Sequence, residues 1–476
     1  MKIVLSVFLF LVSFSLHSQS NEWLSSKAQL CLSDEYQYNF SDFGSLNEDE
    51  TYYLSAYRCF LQFVNYEDED WVKSFEKEQN RLLKITKTEN QKVNMMLINL
   101  DVQLGLMQVM KGDEITGVYN IYKAYKSFEG LDKNQCDALE YQKLHGLFLI
   151  FADQVENQYG FLSWLFGIEG DSELGFQLLR SYISQTKYKD GLHTEGLLLL
   201  AYSSLQFSNI ERTELEWLLE EAERYGSPVL SFVVALNAVK INESKLVFDW
   251  IHDWKGHQIH KFPLLGYIKG RFLLNELKEE GIAYLEQYCN DGNRNRYYAD
   301  AIYRIARFCH VKEEGIKRNA WLSLIDETDN LTTSLDRQAK SEYGMLKDCP
   351  VALVKARFLI DGGDYLTAIS VLNTDSINKY SSFYEIEWWY RLARAEHLLN
   401  NYKQALMAYD KVISLSGDDS RYFGPYSALF ASEIMVEQKS FEKAHQYLQW
   451  ASDLNTGEYQ KEITIKIDAA LKKGAS

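Results

Sequence analysis

A chain of 476 residues that contains only four prolines has little room for loops. Proline presets the backbone of tight turns and is common in turn-rich β folds and loop-built enzymes. Its scarcity points to long helices joined by short turns. Apolar spacing agrees: after about residue 50 such residues recur at helical intervals almost throughout, and strand-like alternation is scarce. With 46% apolar residues the chain can bury a large core, as two or three domains or as one elongated repeat array. Its 50 basic residues against 67 acidic ones leave a net charge of −17, which argues against nucleic acid or an anionic membrane as the main partner.

Residues 1–20 are expected to be a signal peptide. Lys2 precedes an apolar run from Ile3 to Leu16, broken only by Ser6, Ser13 and Ser15, and Ser18 and Ser20 offer the small side chains a signal peptidase accepts. The run is short for a bilayer span of about 20 residues. No cysteine follows it before Cys31, so a lipoprotein anchor is not indicated. No later segment is read as a membrane span, because Gly196–Ala201 and Val229–Val239 have the length of core helices. The expected product is soluble and exported, to the periplasm or the cell surface. Cys31, Cys59, Cys136, Cys289, Cys309 and Cys349 form no CxxC and no zinc-finger spacing. Cys289 and Cys309 could pair, since they sit on consecutive helical segments. The preferred reading makes every cysteine a small buried hydrophobe, with pairing left open.

Residues 21–50 read as an acidic, aromatic lead-in without periodicity. Helical hairpins follow in a 51–250 region and a 251–476 region, with a seam near 250–263. The clearest hairpin has Trp389, Leu392 and Ala393 on its first helix, a turn at Asn400-Asn401-Tyr402, and Ala405, Tyr409 and Val412 on its second. Two helices approach closely only where both carry a small side chain, so Ala393 is expected to face Ala405. The frame fits upstream at Ala356, Leu359, Gly362-Gly363-Asp364-Tyr365, Ala368 and Leu372, and downstream at Ala431, Ser432, Met435, Phe441, Ala444, Leu448 and Ala451. A further copy lies at 95–128, with Gly105, Gly117, Ile121 and Ala124, and weaker hairpins at Leu264–Cys289, Ile302–Leu324 and Leu174–Tyr202. Pro228, Pro263, Pro350 and Pro425 all fall at expected helix starts, where a missing amide donor does no harm.

These residues, over 350–455 most clearly, resemble the tetratricopeptide repeat (TPR) superfamily. Short motifs between Phe262 and Leu372, among them Asp336-Arg337-Gln338-Ala339 and Lys355-Ala356-Arg357, are similar to exported TPR proteins of Bacteroidetes-type bacteria. Glu396 stands where an aromatic is usual, Lys355 replaces a Leu, and the closing Pro is absent from all three units. The resemblance implies an all-α, right-handed α-solenoid of antiparallel hairpins whose first helices line a concave groove. Carried onto this chain, the groove positions hold Arg357, Tyr390, Arg394, His397 and Tyr426. Arg357 and Arg394 share one repeat position and could grip a carboxylate in bidentate fashion, or pair with neighbouring acids. The Lys/Asn clamp of chaperone-binding TPRs is not reproduced, so recognition of a peptide C-terminus is not implied.

Signals for catalysis are weak. His252, His257 and His260 with Asp253 have no recognised zinc spacing and read as a polar loop. There is no HExxH, GxSxG or Walker A sequence, and Gly160–Gly170 lacks the basic residue of a phosphate loop. Paired acids such as Glu220-Glu221 and Glu313-Glu314 read as solvated helix surface. The expectation is therefore a non-catalytic scaffold, with no cofactor and no metal, that binds a protein or peptide partner. Alternatives are a helical-toroid glycan-active enzyme, a SusD-like glycan-binding protein, or a structural spacer.

Overall fold

The computed structural model describes residues 47–474 except 67, 86–90, 112, 159–169, 187–189, 208–209, 255–258, 260–261, 291–295, 329–330, 332 and 375–380. The expected signal peptide, Cys31, His257, His260 and most of the lead-in and of Gly160–Gly170 lie outside the described residues. Among the described residues every regular element is a helix. They are α1 (Glu48–Tyr66), α2 (Glu69–Ile85), α3 (Gln91–Met110), α4 (Glu114–Glu129), α5 (Ala138–Gln158), α6 (Ser172–Gln185), α7 (Asp190–Phe207), α8 (Arg212–Tyr225), α9 (Pro228–Lys240) and α10 (Phe248–His252). Then come α11 (Pro263–Asn275), α12 (Gly281–Asn290), α13 (Tyr298–Val311), α14 (Gly315–Asp326), α15 (Ser334–Glu342), α16 (Val351–Asp361) and α17 (Tyr365–Thr374). The last are α18 (Ser382–Leu398), α19 (Tyr402–Leu415), α20 (Phe423–Glu437), α21 (Phe441–Leu454) and α22 (Gln460–Gly474). Helices adjacent in sequence pack in pairs, as their short turns require.

One turn design recurs. Asn242, Leu277, Glu313, Gly363, Asn400 and Lys439 each adopt a left-handed backbone, with φ between 58° and 81°. In each case the next residue donates its N–H to the carbonyl five residues back: Glu243 to Ala238, Lys278 to Leu273, Glu314 to Cys309, Asp364 to Leu359, Asn401 to Glu396 and Ser440 to Met435, all at 2.8–2.9 Å. This Schellman closure satisfies the last carbonyls of the first helix and turns the chain at once into the second. The left-handed residues step by 35, 36, 50, 37 and 39 positions. The long step holds α15 and the 3₁₀ turn Tyr343–Asp348. The prolines sit at helix starts: Pro228 and Pro263 open α9 and α11, Pro350 caps α16, and Pro425 lies in the first turn of α20.

The chain forms two compact units, one built from residues up to Gly270 with 283–302 and 325–341, the other from 271–282, 303–324 and 342–476. In the first, α3 crosses α4 at Gly105 and Gly117. A Cβ on Gly105 would lie 2.6 Å from the Gly117 carbonyl oxygen, and one on Gly117 would lie 2.5 Å from that of Gly105. Gly146 and Gly175 repeat the device between α5 and α6. Helix α3 corrects one expectation. It is long and apolar enough to cross a membrane, contrary to the expectation that no later segment is, but 78% of its apolar window is buried inside the protein. It is a core helix, with most of its side chains buried against neighbouring helices. Asp336, in the Asp336-Arg337-Gln338-Ala339 motif, is fully buried and accepts hydrogen bonds from the backbone N–H groups of Tyr297, Asp300 and Thr333 and from the Thr333 hydroxyl. Lys143 is also fully buried, between Glu140 at 2.7 Å and Glu195 at 3.1 Å.

In the second unit Ala393 and Ala405 are both fully buried in one cluster with Tyr409, Ala431 and Ala444. Ala356, Ala368 and Leu372 form the equivalent cluster under Trp388. Small residues at the crossing, filled out by aromatics a turn away, hold these hairpins together. The five described cysteines are free thiols, with Cys59, Cys289 and Cys309 buried.

Candidate functional site

The five groove candidates fall in two places. Arg357, on α16, is half-buried, and its Nη1 donates to Glu342 Oε2 at 2.5 Å. Tyr390, on α18, is buried, with its ring centroid 4.9 Å from that of Phe423. The other three gather around Phe430 on α20. The Arg394 guanidinium lies 3.8 Å from the Phe430 ring centroid, and the rings of His397 and Tyr426 are 6.2 Å and 5.7 Å from it. His397 Nδ1 is 3.1 Å from the Tyr409 hydroxyl. Burial, reinforced by the positive charge of Arg394, holds the His397 imidazole down to about 4, so it is neutral at pH 7. Tyr426 accepts a hydrogen bond from Lys466 at 2.9 Å.

Arg357 belongs to a pocket that the sequence pattern alone does not assemble. It is lined by Tyr303 and Arg307 from α13, Glu342 at the end of α15, Arg357 from α16, Phe383, Tyr384, Glu387 and Arg391 from the first half of α18, Arg421, Tyr422 and Phe423 around the start of α20, and Glu458. Three of its four arginines are paired. Arg357 meets Glu342, Arg391 Nη2 lies 2.8 Å from Glu387, and Arg421 Nη2 lies 2.5 Å from Asp419. The Arg421 guanidinium also donates to the Phe383 carbonyl and sits 3.5 Å from the Phe383 ring centroid.

Arg307 differs. It is 2% exposed, lies 4.4 Å above the Phe358 ring, and its Nη2 has no hydrogen-bond partner. Burial, and next the neighbouring charge of Arg357, lower its pKa to about 10, which leaves it protonated at neutral pH. Arg357 is shifted the opposite way: burial opposes its charge, but Glu342 outweighs that and raises it well above the usual arginine value.

The turn register relates two of these arginines, Arg307 and Arg357. Counting six residues back from the left-handed residues Leu277, Glu313, Gly363 and Asn400 gives Arg271, Arg307, Arg357 and Arg394. Four of the six turns thus have a guanidinium at this position, on α11, α13, α16 and α18, while the turns at Asn242 and Lys439 have Leu236 and Glu433 there. Each arginine follows a small residue, as Gly270-Arg271-Phe272, Ala306-Arg307-Phe308, Ala356-Arg357-Phe358 and Ala393-Arg394-Ala395. The small residue allows the helix crossing and places the following side chain beside it. The small-Arg-Phe repetition is the sequence signal that could have found Arg271 and Arg307.

Among the described residues no group of three His, Cys, Asp or Glu side chains is placed to hold a metal ion. Comparison with known proteins finds no family model and no curated protein that matches this chain.

Proposed function

We propose that the protein is an exported, non-catalytic helical-repeat scaffold, a right-handed TPR-like solenoid that binds a protein or peptide partner through the first helices of its C-terminal hairpins. The observation that carries this reading is the arginine register Arg271, Arg307, Arg357 and Arg394, with Tyr303, Tyr390 and Tyr422 beside it. A position repeated from hairpin to hairpin suits an extended partner rather than a single reacting bond. Guanidinium groups flanked by aromatic rings favour an acidic partner segment, because they bond carboxylates in fixed planar geometry and stack at the same time. The register also extends the two groove arginines, Arg357 and Arg394, in one direction along the chain.

The test is affinity capture from envelope extracts with the wild type and with Arg357→Gln/Arg394→Gln, both checked for helical content. A defined partner retained by the wild type and lost from the double variant supports the reading. Absence of any specific partner, or equal capture by the variant, counts against it.

A further inference from the structure

We propose that the pocket around Arg307 is a receptor for one carboxylate group, held between Arg307 and Arg357 and walled by Tyr303 and Tyr422. The inference rests on the partner-binding reading and names the chemistry of that site. Its first support is an unmet need. A guanidinium carries five N–H donors, and Arg307 stacks its face on Phe358 while its Nη2 edge is buried without an acceptor. A buried donor without a partner is destabilising, and more so when it is charged. An oxyanion in the pocket would supply the acceptor.

Charge fixes the valence. Arg357, Arg391 and Arg421 are each neutralised by their own carboxylate, Glu342, Glu387 and Asp419. Of the charges acting on Arg307, Arg357 and Arg304 repel it and Asp361 attracts it. Among the described residues Arg307 is the one pocket arginine with no carboxylate bonded to it. Glu342, Glu387 and Glu458 also line it, and they would repel the second charge of a phosphate. A monoanion fits.

Size agrees. The cavity has about 50 Å³ of free volume, against roughly 10–15 Å³ for a single water. That admits a carboxylate and the carbon that bears it, but not a bulky ligand. The carboxylate can come from a free small acid or from an acidic side chain of the partner. Both present the same two oxygens to the guanidinium edge.

The test is calorimetric titration of the full chain at constant ionic strength with sodium acetate, acetamide, inorganic phosphate, and two amidated hexapeptides, one with a central Glu and one with Gln in its place. Acetate and the Glu peptide should bind at least tenfold more tightly than acetamide and the Gln peptide. A Glu peptide tenfold tighter than acetate identifies a partner segment as the source, and equal affinities identify a free acid. Arg307→Gln should weaken carboxylate binding tenfold or more, about 1.4 kcal/mol. Glu387→Gln, which frees Arg391, should tighten it severalfold and decides the matter if Arg307→Gln does not fold. No carboxylate binding, a preference for phosphate, amides as good as acids, or no tightening in Glu387→Gln overturns the proposal. If partner capture persists while carboxylates fail to bind, only this proposal falls. If carboxylates bind and no partner is captured, only the scaffold reading falls.

Discussion

Arg307 and Arg357 occupy the same place in successive hairpins, each six residues before a left-handed turn residue, yet only Arg357 is matched by a pocket carboxylate, Glu342. The difference comes from the insertion between the two hairpins. Helix α15 ends at Glu342 and delivers its carboxylate to the later arginine. The earlier one keeps a stacked but unsatisfied guanidinium. Two equal positions therefore carry unequal electrostatics, and only the later arginine has a carboxylate bonded to it.

The glycine crossing of α3 and α4 gives the simplest structural prediction. Gly105→Ala or Gly117→Ala should each cost about 1–3 kcal/mol, despite alanine's better helix propensity, because the added methyl meets backbone carbonyl oxygen. Urea unfolding followed by circular dichroism measures this. By contrast Gly315→Ala, whose Cβ would meet only an arginine tip at 3.9 Å, should be neutral or slightly stabilising.

These crossings are legible in the sequence, as are the hairpins at 91–129 and 351–454. Small residues at Gly105, Gly117, Ala393 and Ala405 recur at helical spacing and can do little except allow close approach. The arginine register is harder to see. Two of its turns are closed at Leu277 and Glu313, residue types that do not advertise a left-handed backbone. The 50-residue step between Glu313 and Gly363 also breaks the period. Tyr390 reads as a groove position because helical phase alone does not show that Tyr422 and Phe423 of the next hairpin cover it.

Those turns make a second prediction. A non-glycine residue in the left-handed region costs about 1–2 kcal/mol of backbone strain. Glu313→Gly and Lys439→Gly should each stabilise the protein by roughly 1 kcal/mol, less the extra entropy of the unfolded glycine. Gly363→Ala, at φ 81°, should destabilise it by a similar amount. Thermal unfolding midpoints of the three variants read the sign directly.

The buried Glu140–Lys143–Glu195 cluster predicts a pH dependence. Burial, opposed by Lys143 and aided by Glu195, pushes the Glu140 carboxyl up to about 8. The folded protein thus holds a proton that the unfolded chain releases near 4.5, so this group's contribution to stability is complete below that pH. It falls as pH rises from about 4.5 to about 8, by at most about 1.4 kcal/mol per pH unit. Glu140→Gln should flatten stability between about pH 5 and pH 8 relative to the wild type. An equally steep decline in the variant would show that the proton resides elsewhere.

His397 acts in the opposite sense. Its folded pKa of about 4 lies below the ordinary value of 6.5, so its contribution is present above pH 6.5 and is lost as pH falls toward 4. Replacement by Phe, which keeps the aromatic contacts with Tyr402 and Phe430, should reduce acid sensitivity in that window. Denaturation midpoints at pH 7 and pH 4.5 compare the two proteins.

The most direct measurement of the central claim is an acetate titration followed through the arginine side-chain Nε–Hε signals of ¹⁵N-labelled protein, assigned by Arg307→Lys and Arg357→Lys. Shifts confined to Arg307 and Arg357, with the exposed Arg212 unmoved, are the predicted result. Equal shifts at Arg212, or none at Arg307, would contradict an anion receptor built on the repeated arginine position.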